Sequence, residues 1–333
     1  MPLVVRMKAD RRRFHWPALV IALTVVLAAG LTACARPKIV IVYLETPWKE
    51  FLLPSEAASE GLRDKLGGLG WKLETVSTDG TYSASGADWR RLEQPLSARN
   101  VGMAVLSPFM KPIARELARR NPELPILYLG EIGASSGSIP PNMLRVSFDK
   151  RPAYREAGRE LGLLLGGSVN GMPEAGGRDA EQRTVEKAAV VVSADAFQEE
   201  IRAFREGFLE SADEYLLMTR RVEDASDEIK VRTLLADLKE RGARYYLFMV
   251  PRLLPSCMDF LLREGGLAIV QDWQRSGAYS SNVFMTVEED YAQTIAGAIE
   301  ALSSGADGKI AGVVRLVRNA AAVEGEGREG EAS

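Results

Sequence analysis

Little in this chain could act as a nucleophile. Its 333 residues include two cysteines, Cys34 and Cys257, and one histidine, His15, which lies in an N-terminal leader. A histidine-assisted serine or cysteine nucleophile and a histidine-ligated zinc therefore have no material. No Gly-x-Gly-x-x-Gly follows the first apolar run, and there is no phosphate loop and no Gly-x-Ser-x-Gly elbow. Glu199-Glu200 and Glu288-Glu289-Asp290 read as acids at helix starts, where negative charge meets the helix dipole. Cys257, within Leu254-Pro255-Ser256-Cys257-Met258-Asp259-Phe260, reads as a small buried residue. No catalytic residue, metal ligand or cofactor is expected.

What the chain does offer is rings and charges where apolar runs end. Trp48 and Phe51 follow the first run, Tyr82 the second and Phe109 the third, while Phe197 and Trp273 follow later ones. Asp149, Arg202 and Asp272 stand at similar places. A flat ring can support a sugar face or a nucleobase, and stacking on a base is worth ~1–3 kcal/mol. These nine residues are the candidate ligand-binding set. Each has a plainer alternative: a ring past a strand can cap the core, Arg202 can form a surface ion pair, and Asp149 can cap the following helix.

The elements that would position them fall into a regular order. With 46% hydrophobic and 26% charged residues the chain is an ordinary globular sequence, long enough for two lobes. Apolar runs at Lys38–Leu44, Trp71–Ser77, Gly102–Ser107, Pro125–Gly130 and Met143–Phe148 alternate with helical patterns at Ser55–Leu66, Trp89–Ser97 and Lys111–Arg120. The rhythm restarts with helix Tyr154–Leu165 and strand Ala188–Ser193, and continues through strands Tyr215–Val222, Tyr245–Val250 and Leu267–Gln271. Strand Asn282–Val287, helix Asp290–Ser303 and a single strand Lys309–Arg318 close it. Continuous apolar runs alternating with amphipathic stretches predict α/β lobes with parallel sheets. Gly166–Thr184 reads as a surface loop, and residues 320–333 as a disordered tail.

The N-terminus differs in kind. Arg6, Lys8, Arg11, Arg12 and Arg13 precede the apolar stretch Ala18–Gly30, which ends in Leu31-Thr32-Ala33-Cys34. From Ala18 to Ala33 is 16 residues, shorter than the ~20 a membrane span needs, so an export signal fits better. Leu31-Thr32-Ala33-Cys34 resembles the bacterial lipobox, which implies a signal peptide over 1–33, a lipidated Cys34 and a short tether over 34–37. Of 42 Lys+Arg and 45 Asp+Glu, residues 1–33 hold five basic and one acidic, leaving a net charge of −7. So acidic a chain has no electrostatic footprint for nucleic acid.

Three passages together resemble one family. Leu144–Phe148 with Asp149 and the helix beginning at Tyr154, Ala188–Phe208 with Arg202, Gly207 and Phe208, and Leu267–Trp273 with Asp272 are similar to the type I periplasmic binding proteins, over roughly Lys38 to Arg318. The resemblance implies two Rossmann-like lobes joined by a three-segment hinge, with lobe one at 38–148 plus 285–305 and lobe two at 149–284 plus 306–319. It also implies a lipid-anchored, extracytoplasmic solute-binding protein that closes on a small ligand and delivers it to an ABC-type permease. The alternative is a ligand-sensing or structural lipoprotein without transport. Sugar-binding relatives often carry an Asn-Asp pair where this chain reads Val250-Pro251-Arg252. The nucleoside branch carries an aspartate-rich segment where this chain reads Glu45-Thr46-Pro47-Trp48-Lys49-Glu50-Phe51. The ligand class stays open between sugar-like and nucleoside-like.

Overall fold

The computed structural model describes residues 37–45, 56–78, 86–130, 138–170, 185–193, 197–222, 228–250, 253–271, 281–305 and 309–319. The leader, Cys34, the tether up to residue 36 and the tail lie outside them. The first sheet is built from β1 (Lys38–Glu45), β2 (Trp71–Thr78), β3 (Val101–Leu106), β4 (Ile126–Tyr128), β5 (Met143–Phe148) and β11 (Lys309–Gly312). The second contains β6 (Lys187–Ser193), β7 (Leu217–Val222), β8 (Ala243–Met249), β9 (Leu267–Gln271), β10 (Val283–Glu289) and β12 (Val314–Arg318). Their orders, β11-β5-β4-β3-β1-β2 and β12-β10-β9-β8-β6-β7, contain the same 2-1-3-4-5 winding. Every described pairing is parallel except β10 with β12.

The burial explains why these runs form strands. Six consecutive residues of β1, from Val40 to Glu45, are buried, as expected of a strand covered on both faces. Helices α1 (Glu56–Gly68), α2 (Gly86–Leu96) and α3 (Lys111–Arg120) supply the cover in lobe one. In lobe two it comes from α4 (Arg151–Asn170), α5 (Gln198–Leu209), α6 (Glu228–Glu240) and α7 (Leu254–Glu264), while α8 (Tyr291–Ser303) returns to lobe one. Leu62 and Leu66 of α1 share a core with Ile295 and Ile299 of α8, while α2 and α3 fill the opposite face with Leu92, Ile113 and Leu117. In lobe two, α4 and α5 cover one face through Tyr154, Leu161, Phe204 and Phe208. On the other face lie α6 and α7, with Leu235, Leu238 and Cys257. Cys257 is fully buried, and burial pushes its thiol up to about 12, so it stays protonated and inert.

The α4–α5 contact is unusually intimate. A Cβ added at Gly158 would lie 2.0 Å from the Phe204 carbonyl oxygen, and one at Gly207 1.9 Å from that of Arg155. The two helices therefore touch backbone to backbone, which only glycine allows. The same contact explains a departure from the sequence reading. Residues 166–170, read as the start of a loop, continue α4, because Gly166 packs against the Ser211 backbone; 171–184 lie outside the described residues.

The chain passes between sheets three times, at Asp149-Lys150, at Asp290 and at Val313. This corrects two segment boundaries. β10 pairs with β9 in the second sheet, so 285–289 belong to lobe two. β11 pairs with β5, which puts 309–312 in lobe one. The stretch Lys309–Arg318, read as one strand, is therefore two strands in different sheets. Hydrophobic periodicity reports that a strand forms but not which sheet it joins.

Candidate functional site

All three passages leave or enter the sheets at the carboxyl ends of β5, β10 and β11, so the carboxyl edges of both sheets adjoin one hinge. Ligands of doubly wound sheets sit outside those edges, at the point where the strand order reverses. In these sheets that point lies between β1 and β3 and between β6 and β8.

At the first switch point the structure places a pair that the sequence reading had not singled out. Glu45, the last residue of β1, is 2% exposed, and its Oε2 accepts a hydrogen bond from the Ser107 hydroxyl at 2.5 Å. Ser107 is fully buried and opens a 3₁₀ turn, Pro108–Met110, that leads into α3. Tyr128 of β4 braces this turn by donating to the Pro108 carbonyl at 2.9 Å. Burial, and then the neighbouring Glu45 charge, push the Tyr128 phenol up to about 12. Phe109 projects from the turn and is 54% exposed. Only the position of Glu45 at the end of a strand hinted at the pair, because its partner lies 62 residues further on.

Lobe two contributes a second feature. An open cavity of about 520 Å³ lies between the starts of α4 and α5, lined by Asp149, Arg151, Arg155, Glu199, Arg202 and Glu206 among others. It brings Asp149 and Arg202 to one place, as the sequence reading expected of ligand-binding residues. Both are engaged locally. Asp149 accepts from the Arg151 backbone N–H at 3.1 Å and from its guanidinium at 2.7 and 2.8 Å, which holds the Asp149 carboxyl below the usual range. It thus fills the helix-capping role. Arg202 pairs with Glu199 at 3.2 Å. Phe197, just before α5, takes a left-handed backbone with φ 70° and packs, half-buried, against the lobe-two core. Strained φ values in bulky residues cluster at functional sites. Nearby, Gln271 at the end of β9 is buried and donates to the Tyr154 hydroxyl at 2.8 Å. Trp48, Phe51, Tyr82, Asp272 and Trp273 lie outside the described residues.

The hinge segments are tied to one another. Lys150 Nζ meets Glu289 Oε1 at 2.7 Å with both side chains largely buried, and the Tyr291 hydroxyl donates to Glu289 Oε2 at 2.6 Å. The Tyr291 ring meets Phe148 edge to face, with centroids 5.6 Å apart. The Asp290 N–H donates to the Val313 carbonyl at 2.8 Å, so the second and third passages move together. Removing one partner of a buried pair costs about 3–5 kcal/mol. Because these side chains keep 15–20% exposure and Tyr291 remains, Lys150→Met is expected to lose about 2–3 kcal/mol. Equilibrium urea unfolding measures it, and an unchanged midpoint would show the pair to be idle.

No family model matches the chain, and no curated protein sequence matches it. Solved structures do. A transcriptional activator of the comK gene from Bacillus halodurans is 16% identical with a TM-score of 0.52, covering 88% of this chain and 94% of that one. An ABC transporter solute-binding protein from Conexibacter woesei is 14% identical with a TM-score of 0.52, covering 85% and 88%. This is the type I periplasmic binding protein fold. Both 2-1-3-4-5 sheets and all three passages fit that fold. Among the described residues of this type I fold, no helix is long and apolar enough to cross a membrane.

Proposed function

We propose that this chain is a lipid-anchored, extracytoplasmic solute-binding protein that closes on a small polar or aromatic molecule and passes it to an ABC-type permease. The observation that carries the reading is the pair of like-wound sheets whose carboxyl edges share one hinge. Such edges form a closable cleft, and closure presents a changed surface to a partner. The leader and Cys34 supply the anchor, and the solute-binding protein from Conexibacter woesei is an example of transport on this fold. No reaction is needed, which agrees with a chain whose one histidine lies in the leader. The likeness to the comK activator supports a second reading, a ligand sensor that does not transport.

The direct test is a screen of nucleosides, sugars and amino acids, read by tryptophan fluorescence and melting temperature. A true ligand shifts both. Trp48→Ala or Trp273→Ala then weakens it about tenfold or more, the equivalent of one lost stacking contact. If both variants bind as the parent does, these rings are not at the cleft.

A further inference from the structure

The carboxylate at the switch point narrows the class of solute. We propose that the ligand carries a positively charged N–H donor, an ammonium or amidinium group, seated on Glu45 with its apolar body against Phe109. This rests on the binding-protein reading above and adds a chemical class to it.

Three observations meet at this place. The strand order reverses between β1 and β3, and Glu45 and Ser107 stand where those two strands end. Glu45 is acceptor-only when ionised and 2% exposed, so any group that meets it does so largely without water. In such surroundings a charge-assisted hydrogen bond is about twice as strong as one from a neutral hydroxyl, and a carboxylate prefers a partner that brings positive charge. Ser107 fixes the carboxylate by donating to Oε2, and its hydroxyl and the Tyr128 phenol are both neutral groups.

The third observation is Phe109. A large apolar ring that is 54% exposed, on the turn that begins at Ser107, is a face for a cation or for the aromatic body that carries it. Tyr128 holds the turn in place through the Pro108 carbonyl. The net charge of the whole chain, −3, favours the approach of a cation over that of an anion.

Three probes of one shape and different charge test the idea: tyramine, its uncharged N-acetyl derivative and the anionic 4-hydroxyphenylacetate, with uridine and D-ribose beside them. The full chain, kept in detergent, is titrated with each by calorimetry, and its melting temperature is followed. Tyramine is expected to bind at least about tenfold more tightly than its neutral and anionic counterparts, and Glu45→Gln to remove that preference. Phe109→Ala, at a surface position that leaves the core intact, weakens tyramine and keeps the charge preference. It serves as the informative variant should Glu45→Gln fold poorly. Binding of uridine, ribose or N-acetyltyramine as tight as that of tyramine overturns the ammonium assignment and leaves the binding-protein reading standing. So does undiminished selectivity in folded Glu45→Gln. No response to any probe counts against the binding-protein reading itself, and the assignment falls with it.

Discussion

Gly207→Ala is expected to destabilise the protein by about 3 kcal/mol or more, at or above the upper end of ordinary overpacking costs. A Cβ at this position would sit 1.9 Å from the Arg155 carbonyl oxygen and 3.0 Å from the Arg159 nitrogen. Both obstacles are backbone, so no side chain can swing aside, and α4 and α5 must separate. For a chain of this size each kcal/mol moves the melting temperature by about 2–4 °C, giving a fall of about 6–12 °C. Gly158→Ala, facing the Phe204 carbonyl from the other helix, should behave alike. Gly167 is the control: it lies in the same helix with nothing within 4 Å of an added Cβ. There alanine should gain about 0.5–1 kcal/mol through helix propensity. Scanning calorimetry of the three variants decides the matter, and a Gly207→Ala melting point within 2 °C of the parent would contradict the packing. The effect reaches the candidate site too, since the cavity holding Arg202 lies between these two helices.

The second large effect concerns the anchor in the proposed function. One acyl chain gives only reversible membrane binding, about 10⁴ M⁻¹, whereas two or more on a single residue hold a soluble domain durably. Cells fed an alkyne fatty acid should therefore label the parent protein on Cys34 and not the Cys34→Ser variant. Cys257→Ser should label normally, because that thiol is fully buried in the lobe-two core. Label retained by Cys34→Ser would remove the lipoprotein from the account.

Much of the fold could be read from apolar runs alone. KIVIVYLE, AAVVVS and LAIVQ are continuous because both faces of their strands are covered, and each proved to be a strand. The passages between lobes were harder to read, since Lys309–Arg318 looks like one strand until pairing shows its halves in different sheets. Gly207 could be matched to a family pattern, yet the reason for it, a helix partner touching backbone to backbone, exists only in three dimensions. The same holds for Glu45 and Ser107, which are distant in sequence and meet only because β3 pairs beside β1. Asp149 and Arg202 were placed at one cavity as expected, although Asp149 also caps α4.

Small-angle X-ray scattering, with and without a saturating ligand from the screen, tests the central claim most directly. Two lobes on a common hinge should draw together, so the radius of gyration should fall as the ligand saturates, with a midpoint that matches the calorimetric affinity. Lys150→Met should alter how readily that fall occurs without abolishing it. A scattering profile that stays the same while the ligand is demonstrably bound would contradict the account.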